Sequence, residues 1–551
     1  MDKLKLIPIG GIGGVTKNMY LYEYKEQILI VDCGIGFPNT NMLGVDILIP
    51  DISYLKGKEH QIVGMILTHA HDDHIAALPY ILPQLPADLK IYGSKLTIAF
   101  AQDRLRESKI KANFIEFPDK EGLVIGDFDI ESVKVTHSVP DCRHYAFHTP
   151  EGTIYHGSDF KFDLTPVDGV VSEYNKMAAI GDEGVMCLLS DCLRSERETY
   201  TLSESIVRES IEREIKGVKG KLIVTVMSSN VHRIQQVVDV ASEHGRKVAF
   251  LGRSVEQNVR TASKLGFFKL SEKSIIHKRK IDSLPADKVC IVIAGSQGQP
   301  ESSLARAAQG DHTLVKIGPN DKVVFSSEPI PGNEDNVYTA IDAISKIGAD
   351  VSYSDVDDNL HVSGHASAIE QKQLMEFIKP QYLVPIGGTY RHMIQYRKLA
   401  VQMKFDERQV YLLEDGQTLE FKDGKCSLGQ SIKLRHIMVD GTGVGDVGTV
   451  VLNDRKVLAD SGIVLINIPI DKETKMPKGD IQVISRGFVF MKESQALVER
   501  IKQEVFSIID SNQELLSDWN GLRRKIEQGI GDQVYQETQR EPLIMPVTIE
   551  V

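Results

Sequence analysis

The sequence predicts an α/β protein of two or three domains, and three observations lead there. At 551 residues the chain is longer than one hydrophobic core ordinarily organises. Hydrophobic residues make up 42% and charged residues 25%, ordinary globular proportions that argue against long disorder. Short β-rich runs alternate with helical patterns over most of the length, as in a layered α/β architecture.

The elements follow in order. Gln27 to Val31 and Val63 to Leu67 are compact apolar runs that end in polar or glycine-rich residues. From Glu198 to Glu214 the pattern turns helical. A series of βα units then begins with the runs Lys221 to Val226, Lys247 to Leu251, Val289 to Ala294 and Lys322 to Ser326. Each runs into a Gly, Ser or Asn loop, the pattern of a parallel sheet whose strand ends carry ligand-binding loops. After Asp440, the stretch Gly441 to Gly445 reads as a linker into a smaller unit. That unit has one helix face of Leu497, Ile501, Val505 and Ile508, and it closes on Met545 to Ile549. No internal repeat or low-complexity segment stands out.

Composition narrows the class. The chain starts on a strand-like run with no signal-peptide pattern, and no stretch reaches the ~18 apolar residues needed to span a bilayer. Six cysteines form no CxxC pair and are too sparse for a disulfide scaffold. A protein of a reducing cytoplasm, with no membrane partner, is expected. The net charge of −12 does not advertise a nucleic-acid binder, although phosphate contacts need only local cations. Two stretches are locally basic, Lys269 to Lys280 and Arg391 to Lys404. By themselves they read as solvated faces, of interest only where they flank a site.

The most informative segment is Thr68-His69-Ala70-His71-Asp72-Asp73-His74, directly after an apolar strand. Four potential ligands, His69, His71, Asp73 and His74, fall within six positions. A loop can turn His69 and His71 toward one ion and Asp73 and His74 toward a second. Imidazole and carboxylate donors suit zinc, and two ions ~3.5–4 Å apart suit phosphodiester chemistry. The bland alternative is a polar turn capping the next helix, which three histidines in HxHxDH spacing make a poor account. His137 and Asp159 each end a strand-like run further on. A lone His or Asp at a strand end is ordinarily structural, so their weight comes from their order after HxHxDH.

That order is the ligand order of metallo-β-lactamase-fold hydrolases, and Asp32 matches the early Asp that orients the metal loop there. Within that fold the chain resembles ribonuclease J over nearly its whole length. The resemblance rests on Gly11 to Gly14 with Lys17-Asn18-Met19, and on Ser228-Ser229-Asn230-Val231-His232-Arg233. It continues through Gly295 to Pro300, Ser326 to Asn333, His361-Val362-Ser363-Gly364-His365, Val439 to Gly448 and Ile484 to Phe488.

The resemblance implies a metallo-β-lactamase αββα sandwich with an inserted β-CASP α/β domain and a small C-terminal α/β domain. The expected divisions are 1–200, 201–365, 366–440 and 441–551. It implies two zinc ions per chain on His69, His71, Asp73, His74, His137 and Asp159, with manganese or magnesium as substitutes. Asp73, His365 and Asp191 are the residues expected to carry or support the chemistry. Ser229, Asn230, Val231, His232, His361, Val362, Ser363, Gly364 and His365 are expected to line the RNA phosphate path. The implied reaction is metal-assisted hydrolysis of single-stranded RNA, 5′→3′ from a 5′ monophosphate with internal cutting besides. Implied partners are further copies, as a homodimer or homotetramer, and components of RNA-decay complexes.

One departure from the family is chemically serious. The last metal-binding His of the family's Pro-Ile-His-Gly stretch is replaced by Gly387 in Pro385-Ile386-Gly387-Gly388. His392, five residues on, would need a rearranged loop to replace it. The second ion should therefore bind more weakly, with water filling the gap. Gly157-Ser158 and Cys192-Leu193-Arg194 are smaller departures that bear on the channel. Two other readings remain: a weakly active or inactive paralogue acting as an RNA-binding partner subunit, and a hydrolase of small esters or lactams. The second has no use for the βα insert.

Overall fold

The computed structural model describes residues 3–119, 121–330, 332–473, 476–488, 495–516 and 518–551. Met1, Asp2 and Pro331, which fall in runs singled out above, lie outside the described residues. The chain forms two compact units, 1–37 with 47–437 and 38–46 with 438–551.

The larger unit carries three main sheets. The first is eight-stranded, with Leu4–Gly10, Met19–Tyr24, Gln27–Val31, Ile62–Leu67 and Lys90–Gly93 at its centre. The second is six-stranded and includes Phe128–Val135, Cys142–Thr149, Gly152–Gly157, Cys187–Asp191 and Tyr382–Ile386. Their inner faces pack through aromatics: Tyr22 and Phe147 rings lie 4.7 Å apart, and Tyr22 Oη is 2.8 Å from His156 Nδ1. Such pairs add directional preference to ordinary burial.

After Asp191 the chain leaves the six-stranded sheet. It returns at Tyr382–Ile386, which pairs in parallel with Cys187–Asp191. Between them lies a five-stranded parallel sheet ordered Lys247–Leu251, Val289–Ile293, Leu222–Thr225, Lys322–Phe325 and Asp350–Ser352. The four runs read as βα strands all occur there. They are buried on both faces, as their near-continuous Val/Ile/Leu composition requires.

In the smaller unit, Ile463–Ile470 pairs with Gln482–Arg486 and Leu543–Glu550, and helices Gln495–Ser511 and Trp519–Thr538 cover the sheet. Three sequence expectations shift. Gly441 to Gly445 is not a linker: Val439 pairs with Val444 and Asp440 with Gly443, because Gly441 takes the positive φ a tight turn demands. The fully buried helix face ends on Ile509, with Ile508 at its border, because the stripe Leu497, Ile501, Val505 and Ile509 keeps one four-residue step along the helix. Helix begins only at Val207, after the short 3-10 turn Glu204–Ile206. Thr201 and Ser203 upstream spend their side chains on loop hydrogen bonds.

No helix among the described residues is long and apolar enough to cross a membrane.

Candidate metal centre

The strand Ile62–Leu67 delivers Thr68 and the histidine loop to the C-terminal edge of the eight-stranded sheet, where a short helix Asp72–Ile75 begins. Phe128–Val135, Gly152–Gly157 and Cys187–Asp191 end nearby in the facing sheet, so His137, Asp159 and Asp191 arrive from the other layer. His69 Nε2 and His137 Nε2 each lie 3.1 Å from His71 Nδ1. Zn–N bonds of ~2.0–2.1 Å set tetrahedral donors roughly 3.3 Å apart, so these three nitrogens have the spacing of one ion's ligands.

Asp159 Oδ2 sits beside them, 3.7 Å from His69 Nε2 and 3.8 Å from His137 Nε2. The same oxygen is 3.5 Å from His74 Nε2, which is 3.6 Å from Asp73 Oδ2. Two donor groups result, His69–His71–His137–Asp159 and Asp73–His74–Asp159, with Asp159 common to both. A third group, Asp159–Asp191–His365, lies against them.

The outward nitrogens orient the rings. His137 Nδ1 donates to Gly364 O at 2.7 Å, leaving its Nε2 lone pair directed inward, and His74 Nδ1 donates to Asp32 Oδ2 at 2.7 Å. Burial opposes protonation of His74, but Asp32, Asp73 and Asp159 outweigh it and hold the ring well above the usual histidine range, so a metal ion would displace its inward Nε2 proton. Burial, reinforced by neighbouring imidazoles, holds His69 and His137 well below the usual histidine range. Burial brings His71 down to about 3. All three are therefore neutral at physiological pH, as ligation requires. Burial pushes Asp73 up to about 6. For His365, burial opposes protonation, but Asp191 and Asp159 outweigh it and raise the ring to about 9. Its Nδ1 lies 2.8 Å from Asp191 Oδ2. These buried carboxylates and inward lone pairs suit cations, and the donor set fits a metal centre.

Sequence reasoning missed several supports. Asn18 Nδ2 contacts His74 Nε2 at 3.1 Å and donates to Asp73 O at 3.2 Å. Thr68 N and Oγ1 both donate to Asp32 at 2.8 Å, and Ser138 Oγ meets His71 Nε2 at 3.1 Å. The sequence signal for Thr68 and Ser138 was their adjacency to histidines.

Of the residues expected to meet phosphate, Gly364 and His365 reach the centre, while His361 and Val362 are tied by Arg233 to the helix that follows Ser229. A Cβ on Gly364 would come within 2.9 Å of His137 and 2.8 Å of Ser138, so only glycine fits there. Ser363 Oγ accepts from His365 N at 3.1 Å. Arg233 holds the approach: it donates to His361 Nδ1 at 2.7 Å and to Val362 O at 3.0 Å while paired with Glu204 at 2.7 Å. Asn230 spends its side-chain oxygen capping the helix Val231–Glu243, and fully buried Val231 offers only backbone. Ser229 is half-buried just ahead of that helix. His232 faces Asp168 at 3.4 Å and lines a cavity of about 210 Å³ that His137 also borders.

A Cβ built on Gly387 would lie 3.6 Å from Asp159 Oδ1 and 3.7 Å from Asp191 Oδ1, pointing between two carboxylates at the centre. His392 stays away, its Nδ1 accepting from Thr389 N at 3.2 Å in a capping box.

The fold and this His/Asp cluster define a metal-dependent hydrolase of the metallo-β-lactamase superfamily, whose model matches residues 12–167. Models for the ribonuclease J β-CASP domain, a Zn-dependent metallo-hydrolase RNA specificity domain and the ribonuclease J C-terminal domain match 219–344, 348–411 and 450–551. Ribonuclease J 1 of Streptococcus pyogenes is 36% identical, covering 100% of this chain and 98% of its own length. Ribonuclease J2 of Bacillus subtilis is 34% identical, covering 100% and 99%. Ribonuclease J of Mycolicibacterium smegmatis is 34% identical, covering 100% and 97%. A crystal structure of a protein of unknown function from Enterococcus faecalis shares the fold, with a TM-score of 0.51 at 15% identity over 76% of this chain and 100% of that one. The chain belongs to the ribonuclease J family.

Proposed function

We propose that this chain is a zinc-dependent ribonuclease that hydrolyses single-stranded RNA 5′→3′ from a 5′ monophosphate and also cuts internally. The observation that carries the reading is the convergence of three neutral imidazole nitrogens at 3.1 Å beside the shared carboxylate of Asp159. His69, His71 and His137 would hold one zinc, and Asp73 and His74 a second, weaker ion, with Asp159 between them. Manganese or magnesium would substitute. Bound ions would supply an activated water and neutralise charge on the phosphoryl group.

The chain's own residues do the rest. His365, protonated against Asp191, donates to a phosphoryl oxygen or the leaving group, and Asp191 positions it. Ser229, Ser363 and the backbone around Asn230, Val231, Val362 and Gly364, with His232 and His361, guide the RNA phosphates. Divisions at 1–200, 201–365, 366–440 and 441–551, a cytoplasmic setting, a homodimer or homotetramer and RNA-decay partners belong to the same reading.

Gly387 favours a second reading, an RNA-binding partner subunit with little activity of its own. Metal analysis beside decay of a 5′-monophosphorylated RNA, for native protein and Asp73→Ala, separates the two. Bound zinc with decay lost in the variant supports the enzyme. Metal-poor protein that binds RNA but cuts no faster than the variant supports the partner subunit.

A further inference from the structure

The parallel sheet opens a second concave surface that none of the metal ligands lines. A cavity of about 900 Å³ lies at the C-terminal ends of the strands Lys247–Leu251 and Val289–Ile293, where open α/β sheets bind ligands. Helix Lys95–Ser108 forms part of its wall, and Lys278, from the basic stretch Lys269 to Lys280, lines it as well.

Cations outnumber acids here. Arg104, Arg106, Arg253, Arg260, Lys278 and Arg306 face Asp103, Glu107, Glu256 and Glu301. Three of the acids are already matched: Asp103 by Arg106, Glu107 by Arg253 and Glu256 by Lys278. Arg260 and Arg306 have no ion pair among the described residues, and Arg306 Nε is buried with no hydrogen-bond partner.

His312 supplies an independent sign. It is 7% exposed, and its Nδ1 accepts from Leu314 N at 3.2 Å. That bond places the neutral ring's proton on Nε2, which has no hydrogen-bond partner among the described residues and belongs to a side chain lining the cavity. Helix Arg253–Leu265 also starts at the wall. Its N-cap, Gly252, has no side chain to satisfy the first N–H groups, so the positive end of the helix stays open.

We propose that this cavity binds a nucleoside monophosphate. Two unmatched guanidinium groups suit a dianionic phosphate monoester better than the single charge of a phosphodiester. The His312 Nε2–H and the open helix end add neutral donors to the same anion. The volume is of the size that small-molecule sites take and leaves room for base and ribose beside Ser254, Gln257, Gln299 and Thr313.

The test is calorimetric titration of the full-length protein with adenosine 5′-monophosphate, adenosine and inorganic phosphate. The variants are Arg260→Ala, Arg306→Ala, His312→Asn and Asp73→Ala, each checked for folding by circular dichroism. The proposal expects one adenosine 5′-monophosphate site that survives Asp73→Ala, weakens at least tenfold in both arginine variants, and binds adenosine far more weakly. Arg260 is exposed, so its variant still reads binding if Arg306→Ala fails to fold. Binding that vanishes in Asp73→Ala would locate the nucleotide at the metal centre and overturn the proposal. So would arginine variants that bind like the native protein, or that lose affinity for a short RNA while keeping the nucleotide.

Discussion

The two sides of the metal centre are furnished unequally. On one side three imidazoles converge, and His137 is locked by Gly364 O at 2.7 Å, a contact spanning 227 residues. On the other, Asp73 and His74 share Asp159, and Gly387, whose Cβ position lies 3.6 Å from Asp159 Oδ1, offers no donor. The carboxylate side nonetheless keeps its supports: Asp32 on His74, Asn18 on Asp73, and the His365–Asp191 pair alongside. With glycine at position 387 the surrounding hydrogen bonds still stand, so the unequal halves can be tested one at a time.

The largest effect is expected where the halves meet. Asp159→Ala removes the one carboxylate common to all three donor groups. It should strip both ions and reduce RNA cleavage beyond the ~10–100-fold typical of an outer-shell loss. Elemental analysis beside a cleavage assay checks this, and retention of either ion would break the picture of a shared carboxylate.

Next come single-sided changes. His69→Ala should empty the tighter site, whereas Asp73→Ala should spare it and abolish only the weaker one. Zinc titration monitored by competition with a chelator would show one high-affinity site in Asp73→Ala and none in His69→Ala. Asp32→Asn is smaller still. It weakens the acceptor for His74 Nδ1 and for Thr68, and should cost roughly 10–100-fold in second-site affinity.

Much of this centre is legible in the amino-acid sequence, for a physical reason. HxHxDH packs four donors into one loop, and strand ends at His137, Asp159 and Asp191 place side chains at one sheet edge. The parallel sheet is legible because strands buried on both faces must be apolar throughout. Asn18 and Glu204 are not, because their roles come from contacts across the fold that no local pattern encodes. The hairpin at Gly441 reads wrongly as a linker since glycine marks a linker and a tight turn alike.

Gly387→His should restore a donor on the weak side. The added Cβ enters a gap whose nearest atoms are carboxylate oxygens at 3.6 and 3.7 Å, so it meets no steric wall. The backbone there has φ +65, and a side chain in that region costs roughly 1–2 kcal/mol. Thermal unfolding of the metal-free protein should therefore shift down, while second-ion affinity rises by roughly 10–100-fold. Unchanged second-ion affinity in a folded variant would mean that Gly387 is not what limits that side.

The smallest effect is expected at His392. Its Nδ1 accepts from Thr389 N and its ring completes the capping box of helix Tyr390–Gln402, so it is engaged in holding the helix end rather than in replacing the lost ligand. His392→Ala should cost about 1 kcal/mol of stability, the usual worth of a cap, and leave both metal affinities where they were. A drop in second-ion affinity without a matching drop in stability would show that the ring swings in when metal binds. In that case the two sides would be less unequal than the arrangement of Gly387 makes them.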